Sequence, residues 1–429
     1  MKAGPGALRM DRMTGYYDHA KETMSASARR SYQAAWLLEL IELSWQRAPG
    51  VRRRLEAVGL TPKDLRDPDA LARLPVLKKG QMPDLQQADP PFGGFCTLPL
   101  SRLRRIFRSP GPIYEPMGPD AGGFRAETGL YAGGFRPGDI VVQTFAYHLV
   151  PAGHEIDESL QLIGCTVVPT GTGNTETQIE IARAVGAAGF VGTPSFLMTL
   201  LKRAEEMKVG RLPFEVAQVG AEALPESMRR ALEGEYGIMT RQGFGTADIG
   251  MVGYECPEKS GMHLLDEAIV HVCDPQTGEL LGTGQIGELV ATVNNRTYPM
   301  IRFGTGDLTV VTDERCPCGR TSARILGWRG RADEVTKVRG MFIHPRQADE
   351  VVARVSGVER YQVVVGRDGH QDTLMLRVEL RPGTTADGAR AALEAAIRDV
   401  MKLRGTVDIV PAGTISPSPK KIDDQRKWD

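Results

Sequence analysis

The sequence lacks the features that mark membrane, nucleic-acid-binding and disulfide-stabilised proteins. None of its apolar runs approaches the roughly 18 residues needed to cross a bilayer, and its first residues lack the apolar segment of a signal peptide. Lys plus Arg and Asp plus Glu both number 53, so no charge excess favours nucleic acid or an anionic membrane. Six cysteines in 429 residues do not resemble a disulfide framework, which leaves reduced thiols or metal ligands. These absences favour a cytoplasmic enzyme acting on small molecules, with no nucleic-acid or membrane partner.

The composition is that of an ordinary globular protein. Hydrophobic residues make up 41% of the chain and charged residues 25%, which predicts a sizeable core. A chain of 429 residues is long enough for more than one domain. Homodimers are common among such proteins, so a homodimer is an open alternative to a monomer.

The middle of the chain alternates short apolar strands with helical stretches. This alternation predicts parallel βαβ units, in which ligands bind beyond the carboxyl ends of the strands. The predicted strands are 139–144, 165–170, 189–194 and 215–220, and the predicted helices include 177–188 and 225–236.

The last third of the chain has two different patterns. Residues 269–311 contain strand signals separated by turns, which indicates an antiparallel sheet packed on the α/β body. Beyond residue 333, strands and one helix at 386–402 form a compact α+β pattern. We therefore expect a large α/β N-terminal domain at 1–332, with a parallel and an antiparallel sheet, and a small mobile α+β C-terminal lid domain at 333–429.

The most informative motifs are PMIRFGTGD at 299–307 and GRADEVTKVRG at 330–340. Other segments with recognisable motifs are YYDHAKETM, LTPKDL, LARLPVLKK, GNTETQ, VGAEALPESMRR and the cysteine cluster. In this order they resemble the phenylacetate-CoA ligase branch of the adenylate-forming superfamily, which also contains acyl-CoA synthetases and adenylation domains. The resemblance covers nearly the whole chain.

The resemblance implies a two-step reaction on an aromatic or alicyclic carboxylic acid. The acid attacks the α-phosphate of ATP, pyrophosphate leaves, and the thiol of CoA then attacks the acyl-adenylate. Phosphoryl transfer needs charge neutralisation and alignment more than covalent help, so Mg²⁺, basic residues and backbone donors are expected around the nucleotide.

The resemblance also implies which residues hold the nucleotide. Asp307 would bind the ribose diol, Phe244 would stack on adenine, and Asp248 would hold Mg²⁺. Two residues depart from the family motif: Ala247 lacks the usual hydroxyl, and Asp248 is one methylene shorter than the family's glutamate. The alternative for Gly220–Glu222 is a strand-to-helix turn without a ligand. The full nucleotide set is Gly220, Ala221, Glu222, Gln242, Gly243, Phe244, Gly245, Thr246, Asp307 and Arg331.

The family's hinge and catalytic lysine fall in the C-terminal part of the chain. By resemblance, Asp333 is the residue whose backbone torsions absorb a domain rotation. Lys420 and Lys421 are the candidates for the lysine that reaches the carboxylate and α-phosphate, and with Asp248 they form the predicted catalytic set. Two alternatives stay open, since another alignment places Ser418 at the lysine position and a solvated basic tail explains the same residues.

The acyl pocket gives a fainter signal. The resemblance points to Tyr147, His148 and Pro194 as substrate-binding residues. An apolar pocket with few polar groups would suit an aryl or alicyclic acid. A lone histidine is a weak signal, because packed and exposed histidines are as common as substrate-binding ones.

Four soft ligands form a candidate metal site. Cys256 and His263 have C-x6-H spacing, and Cys316 and Cys318 form a tight C-x-C turn. If they converge, they satisfy tetrahedral zinc with no open position, which is the pattern of a structural Zn²⁺ site. The alternative is a set of reduced buried thiols and a surface histidine.

The phosphate loop departs most from the family. The chain has Arg108 to Pro116, RSPGPIYEP, in place of a Ser/Thr/Gly-rich loop. Its prolines remove backbone donors, and Glu115 puts an acid where phosphates need cations. Either Arg104, Arg105 and Arg108 substitute, or the enzyme uses ATP poorly, or the chain acts on an already formed adenylate or CoA ester. Another alternative is a nucleotide- or CoA-binding protein that has lost ligase activity. A further alternative keeps adenylation but passes the acyl group to an amine or a carrier protein.

Overall fold

The computed structural model describes residues 11–109, 112–119, 126–332, 336–343, 345–369, 371–416 and 420–426. They divide into two compact units, one within 1–224 and 229–329 and the other within 225–228 and 330–429. The division between residues 329 and 330 lies close to the boundary expected from the sequence. The role of the second unit as a mobile lid stays a prediction.

Local sequence explains where several helices begin. Ser25 caps the second helix by accepting a hydrogen bond from the amide of Ala28, and Thr193 caps the eighth through the amide of Phe196. Pro194 occupies the first turn of that eighth helix, where its missing N–H has no cost. The helices are α1 (His19–Glu22), α2 (Ala26–Arg47), α3 (Pro49–Glu56), α4 (Met82–Ala88), α5 (Glu127–Ala132), α6 (Ala152–Ile163), α7 (Thr175–Val185), α8 (Pro194–Glu206), α9 (Glu226–Arg230), α10 (Pro345–Ala353) and α11 (Ala386–Met401).

A nine-stranded mixed sheet forms the centre of the first unit. Its order is β14-β15-β10-β9-β8-β7-β6-β4-β5, and β5, β4, β6, β7 and β8 run parallel while β8, β9, β10, β15 and β14 run antiparallel. The strands are β4 (Ile140–Gln143), β5 (Thr166–Pro169), β6 (Gly189–Gly192), β7 (Val216–Val219), β8 (Met239–Thr246), β9 (Gly250–Glu255), β10 (Met262–Leu264), β14 (Val311–Thr312) and β15 (Arg324–Ile325). The parallel part contains the four strands predicted from apolar runs. The helix predicted over 225–236 is α9 followed by a π-helical turn, Ala231–Glu235.

A second sheet and a hairpin complete this unit. The four-stranded sheet has the order β1-β13-β12-β11, and the hairpin pairs β2 with β3. β11, β12 and β13 are antiparallel as expected, but β1 joins β13 in parallel, so the sheet is mixed. The strands are β1 (Leu77–Lys78), β2 (Arg105–Ser109), β3 (Ile113–Met117), β11 (Ala268–Cys273), β12 (Gly287–Val293) and β13 (Phe303–Thr309).

The second unit is a small α+β body. Its four-stranded sheet has the order β20-β19-β18-β21, with a separate two-stranded ribbon of β16 and β17. Leu393 and Ile397 of α11 are fully buried in a cluster with Val363, Leu376 and Val378 of the sheet. The strands are β16 (Thr336–Val338), β17 (Met341–Ile343), β18 (Val358–Asp368), β19 (Gln371–Leu380), β20 (Thr406–Ile409) and β21 (Ile422–Asp424). The predicted α/β fold class, with its parallel and antiparallel sheets and small α+β unit, is confirmed.

No helix within the described ranges is both long and apolar enough to cross a membrane.

Candidate active site

The turn after β7 has the close backbone approach expected of a nucleotide-binding turn. A Cβ added at Gly220 would lie 3.0 Å from the carbonyl oxygen of Gly243 on β8, so a side chain there would crowd the neighbouring strand. Ala221 adopts a left-handed conformation with φ of 65°, which is uncommon outside glycine and recurs at functional turns. Glu222 follows at the half-buried end of the turn. The contact of Gly220 with Gly243 brings two of the predicted nucleotide segments together.

β8 carries Gln242, Gly243, Phe244, Gly245 and Thr246. The amide of Gln242 and its side-chain Nε2 donate to Glu255 on β9, at 2.8 and 3.0 Å. Phe244 is half-buried against the main apolar cluster of this unit. A Cβ added at Gly245 would lie 2.6 Å from the carbonyl oxygen of Gly250, so the strand approaches β9 closely here. Gln242 therefore fixes the strand, and Phe244 stays partly exposed.

Asp248 lies in the turn between β8 and β9 and is almost fully buried. Its Oδ2 accepts hydrogen bonds from Lys79 Nζ at 2.6 Å and Thr246 Oγ1 at 3.2 Å. Its Oδ1 is buried and has no hydrogen-bond partner among the described residues. A carboxylate oxygen of this kind is a suitable ligand for Mg²⁺, so Asp248 fits its predicted role.

Lys79 brings a buried cation to this turn. It follows β1 directly, and β1 pairs with the start of β13, with Lys78 opposite Gly304. The Lys79 side chain is 7% exposed, and that of Asp248 is 1% exposed. Sequence reasoning missed Lys79, although it ends the LARLPVLKK motif. The sequence does not show that Lys79 lies near Asp248, because the two residues are 169 positions apart in the chain.

The segment that replaces the phosphate loop is the β2–β3 hairpin. Pro110 and Gly111 lie outside the described residues. Glu115 is 4% exposed and accepts a hydrogen bond from the hydroxyl of Ser109. Burial, and secondly the negative charge of Asp248, raise the pKa of Glu115 to about 8. At neutral pH this side chain is therefore mostly protonated, so it does not repel phosphate as a full charge.

The arginines proposed as substitutes are differently placed. Arg104 and Arg105 both form ion pairs with Glu158 on α6, at 2.7 Å each. Arg108 is exposed, and its guanidinium lies 5.8 Å from the ring centroid of Tyr114. Two of the three cations are thus engaged by one carboxylate.

Asp307, near the end of β13, is 8% exposed. Its Oδ1 accepts a hydrogen bond from the indole Nε1 of Trp328 at 2.9 Å, and its amide donates to Thr305 Oγ1 at 3.1 Å. The indole bond fixes the rotamer of the carboxylate. Trp328 is a second residue that sequence reasoning did not single out, and it lies just before the GRADEVTKVRG motif.

The region predicted to bind the acyl group has an aromatic network. Tyr147 donates its hydroxyl to Asp157 Oδ2 at 2.9 Å, and burial is the first cause that raises the pKa of this phenol. His154 packs edge-on against Tyr147 and lies beside Phe107, with ring centroids 5.1 and 5.6 Å away. His148 is exposed, so His154 is the histidine that joins this network.

Pro194 is buried in the first turn of α8. Its position after β6 places it at the carboxyl end of a parallel strand, as the βαβ pattern predicts.

The remaining predicted residues belong to the second unit. Arg331 is half-buried, and Asp333 lies outside the described residues. Lys421 Nζ forms an ion pair with both oxygens of Asp349 on α10, at 2.9 and 2.8 Å. Lys420 is exposed, and its carbonyl accepts a hydrogen bond from Gln362. The assignment of a catalytic lysine stays a prediction.

The four predicted metal ligands converge. Cys256 follows β9, His263 lies on β10, and Cys316 and Cys318 lie in the turn between β14 and β15. Their donor atoms all lie within 4.8 Å of one another. Cys256 Sγ is 3.7 Å from Cys316 Sγ, and Cys318 Sγ is 3.4 Å from His263 Nε2. His263 is fully buried, which removes the alternative of a surface histidine.

The chemistry of this cluster fits a tetrahedral ion. Bonds of about 2.3 Å to zinc separate two sulfur atoms by about 3.8 Å, which matches the thiol pair. His263 Nδ1 lies 3.3 Å from the carbonyl oxygen of Ser322, which leaves Nε2 toward the thiols. The hydrogen bond with Cys256 is the first cause that lowers the pKa of Cys318, so the cluster favours a thiolate.

Comparison with known proteins shows which family the chain is similar to. A family model described as the AMP-binding enzyme C-terminal domain matches residues 340–426. The phenylacetate-coenzyme A ligase of Thermus thermophilus is 32% identical over 379 residues, which is 85% of this chain and 84% of that protein. The phenylacetate-coenzyme A ligase of Aromatoleum evansii is 30% identical over 376 residues, which is 84% of each chain.

A solved structure gives the same result at the level of the fold. The 2-hydroxyisobutyryl-CoA ligase in complex with 2-HIB-AMP and CoA has a TM-score of 0.87 and 26% identity, covering 98% of this chain and 94% of that one. The resemblance inferred from the motifs is confirmed. The chain belongs to the phenylacetate-coenzyme A ligase family of adenylate-forming enzymes.

Proposed function

We propose that this protein is an ATP-dependent, AMP-forming acid–CoA ligase that acts on an aromatic or alicyclic carboxylic acid. One geometric observation carries the proposal. The turn at Gly220, the half-buried Phe244 and the buried carboxylate of Asp248 lie at the carboxyl ends of β7 and β8. This is the edge where α/β sheets bind their ligands.

In the first half-reaction, a carboxylate oxygen of the acid forms a bond to the α-phosphorus of ATP while the bond to the β-phosphate breaks. Phe244 would stack on the adenine, and Asp307 would accept hydrogen bonds from the ribose. Asp248 would hold Mg²⁺, which neutralises phosphate charge when bound. Lys79 keeps the Asp248 carboxylate in one orientation before the nucleotide arrives.

In the second half-reaction, the thiol sulfur of CoA bonds to the acyl carbon and AMP leaves with the electron pair of the broken bond. The thiol proton is lost to solvent or to a base. The second unit would supply Lys420 or Lys421 to the first half-reaction and turn about Asp333 for the second. Arg331 would contact the ribose or the phosphate.

The cluster of Cys256, His263, Cys316 and Cys318 would hold a structural Zn²⁺. Four protein ligands leave no position for substrate, so the ion would not take part in the reaction. The amide of Arg320 points to Cys318 Sγ at 3.4 Å, and Arg320 Nε donates to Glu22 at 2.6 Å. A metal here would tie the N-terminal helix α1 to the β14–β15 turn.

Pyrophosphate release tests the proposal. The purified chain is given ATP, Mg²⁺ and a panel of aromatic, alicyclic and short hydroxy acids, with and without CoA. We expect acid-dependent pyrophosphate and a CoA thioester. Products only with amines or a carrier protein would favour the acyl-transfer alternative, and AMP binding without any pyrophosphate would favour a homologue that has lost ligase activity.

The Asp307→Ala variant tests the ribose contact. We expect AMP binding, measured by calorimetry, to weaken by about 1.5 to 3 kcal/mol for each charged hydrogen bond lost. Asp313→Ala is the matched control, because Asp313 is exposed on the next segment of the chain. Equal AMP affinity in wild type and Asp307→Ala would contradict the assignment.

A further inference from the structure

A buried glutamine on β7 lacks hydrogen-bond partners for its side chain within the part of the chain that the structure describes. Gln218 is 2% exposed. Neither its Nε2 nor its Oε1 has a hydrogen-bond partner among the described residues. Buried amides in folded proteins are nearly always paired, with protein, water or ligand, because unpaired ones lose their hydration without compensation. Gln218 is therefore a buried amide that no described residue pairs, and a bound molecule could supply the missing partner.

Two glycines and a methionine lie close to this amide. A Cβ added at Gly133 would lie 2.6 Å from Oε1, and one at Gly243 would lie 2.9 Å from Nε2. The same Cβ at Gly243 would lie 2.8 Å from the terminal methyl group of Met251. Met251 belongs to an apolar cluster with Leu130 of α5. A side chain at either glycine would collide with the amide, so the two glycines leave room for it.

The location of Gln218 links it to the proposed adenylation site. It lies two residues before Gly220, whose turn contacts β8. Gly243, which flanks the amide, directly precedes Phe244. β7 is an interior strand of the parallel part, where ligands bind at the carboxyl ends. The acyl group of an adenylate held at Phe244 and Asp248 would extend into this part of the sheet.

We propose that Gln218 determines specificity by hydrogen bonding to a hydroxyl group on the acyl part of the substrate. The proposal rests on the ligase function proposed above. A carboxamide both donates and accepts, and a hydroxyl group is a small substituent that does the same. The substrate class is thereby narrowed from aromatic or alicyclic acids in general to those that carry a hydroxyl group.

Matched pairs of acids test this specificity. Each pair contains a hydroxy acid and its parent, such as 4-hydroxyphenylacetate with phenylacetate, or a hydroxycyclohexanecarboxylate with cyclohexanecarboxylate. We expect the wild type to prefer one hydroxy acid by about tenfold or more in kcat/KM for pyrophosphate release. Gln218→Met should abolish this preference, by lowering kcat/KM for the hydroxy acid while leaving that for the parent within about threefold.

Gln178→Met is the control variant. Gln178 is also a buried glutamine, but its Nε2 donates to the carbonyls of Gly171 and Gly173, at 2.9 and 2.6 Å. This change should lower the melting temperature and leave the selectivity between paired acids unchanged. Gln218→Met removes buried polar atoms that no described residue pairs, so this variant should melt at or above the wild-type temperature. If Gln218→Met melts below the wild type, Gln218→Leu is used as the test variant instead.

A second measurement separates this inference from the ligase function. With AMP present, the hydroxy acid should raise the melting temperature of the wild type more than its parent does, and Gln218→Met should lose that difference. Acid binding of this kind without pyrophosphate release would overturn the ligase function alone. Absence of any hydroxyl preference in both measurements, or an equal loss for both acids in Gln218→Met, would overturn the role of Gln218.

Discussion

At the scale of single residues, the site is built from ionisable groups that have been removed from water. Asp248 forms an ion pair with Lys79, in which Oδ2 and Nζ are 2.6 Å apart. Glu115 forms no ion pair with any described residue, and its carboxyl group instead receives a hydrogen bond from Ser109. The two acids interact, since the charge of Asp248 is the second cause of the raised pKa of Glu115. Asp248 and Glu115 therefore form an interacting pair of buried carboxyl groups, of which only Asp248 is ion-paired with Lys79.

Glu115 makes the stability of the protein dependent on pH. Its pKa is about 8 in the folded chain against 4.5 as the reference value, so between these pH values the folded state holds a proton that the unfolded state has lost. The stability that this carboxyl group contributes is fully present below pH 4.5. It decreases as pH rises from 4.5 through 8, by up to about 1.4 kcal/mol per pH unit.

Glu115→Gln should remove this dependence. We expect the variant to gain melting temperature relative to the wild type at pH 8 and to match it near pH 4.5. Thermal unfolding across this range measures the difference. Glu42→Gln, at an exposed position on α2, should show none. A constant offset at every pH would contradict the raised pKa of Glu115.

At the scale of elements, long connections between strands bring the predicted metal ligands together. The segment between β14 and β15 brings Cys316 and Cys318 to Cys256 and His263, which lie on either side of the β9–β10 hairpin. The N-terminal residues reach the same place, since Tyr16 donates its hydroxyl to the carbonyl of Cys318 at 2.9 Å. A metal in this cluster would fix one edge of the nine-stranded sheet.

Loss of one ligand should release the metal. Purified wild type should contain about one Zn²⁺ per chain by elemental analysis, and Cys318→Ser should contain close to none. The melting temperature should fall by about 4 °C or more in the variant and in chelator-treated wild type. Cys96→Ser, a half-buried thiol outside the cluster, should keep its zinc. Equal zinc content in both variants would show that these four residues are not the ligands.

At the scale of the whole molecule, the two compact units divide the chemistry. The first unit holds the predicted nucleotide turn, Asp248 and the buried Gln218, and the second holds the two candidate lysines. An ammonium group from the second unit is needed only if that unit takes part in adenylation. The ion pair of Lys421 with Asp349 engages one of these ammonium groups, whereas Lys420 is exposed.

Lys420→Ala should therefore affect adenylation more than Lys421→Ala. We expect the first variant to lose about 100-fold or more in the rate of acid-dependent pyrophosphate release, because a positioned donor at the α-phosphate is removed. Thioester formation from a supplied acyl-adenylate should change little in either variant. If both variants release pyrophosphate at the wild-type rate, neither lysine is catalytic.

The sequence alone determined the fold class and the family, because both follow from local patterns. Apolar strands alternating with helices specify a parallel sheet within windows of a few residues, and the ordered motifs around Gly220 and Asp307 need no knowledge of distant contacts. The turn at Gly220 and the C-x-C turn at 316–318 could also be located from local sequence, and their roles in binding nucleotide and metal stay predictions.

Tertiary structure decided which groups meet and which become buried. The pairing of Lys79 with Asp248 spans 169 residues, and no periodicity encodes it. The sequence predicted that Glu115 places a negative charge beside phosphate. Burial in the hairpin raises the pKa of Glu115 and keeps it mostly protonated near neutral pH. The unpaired amide of Gln218 arises only when β7, β8 and α5 pack together. Ionisation and hydrogen bonding depend on the surroundings that folding creates, and these surroundings come from segments far apart in the chain.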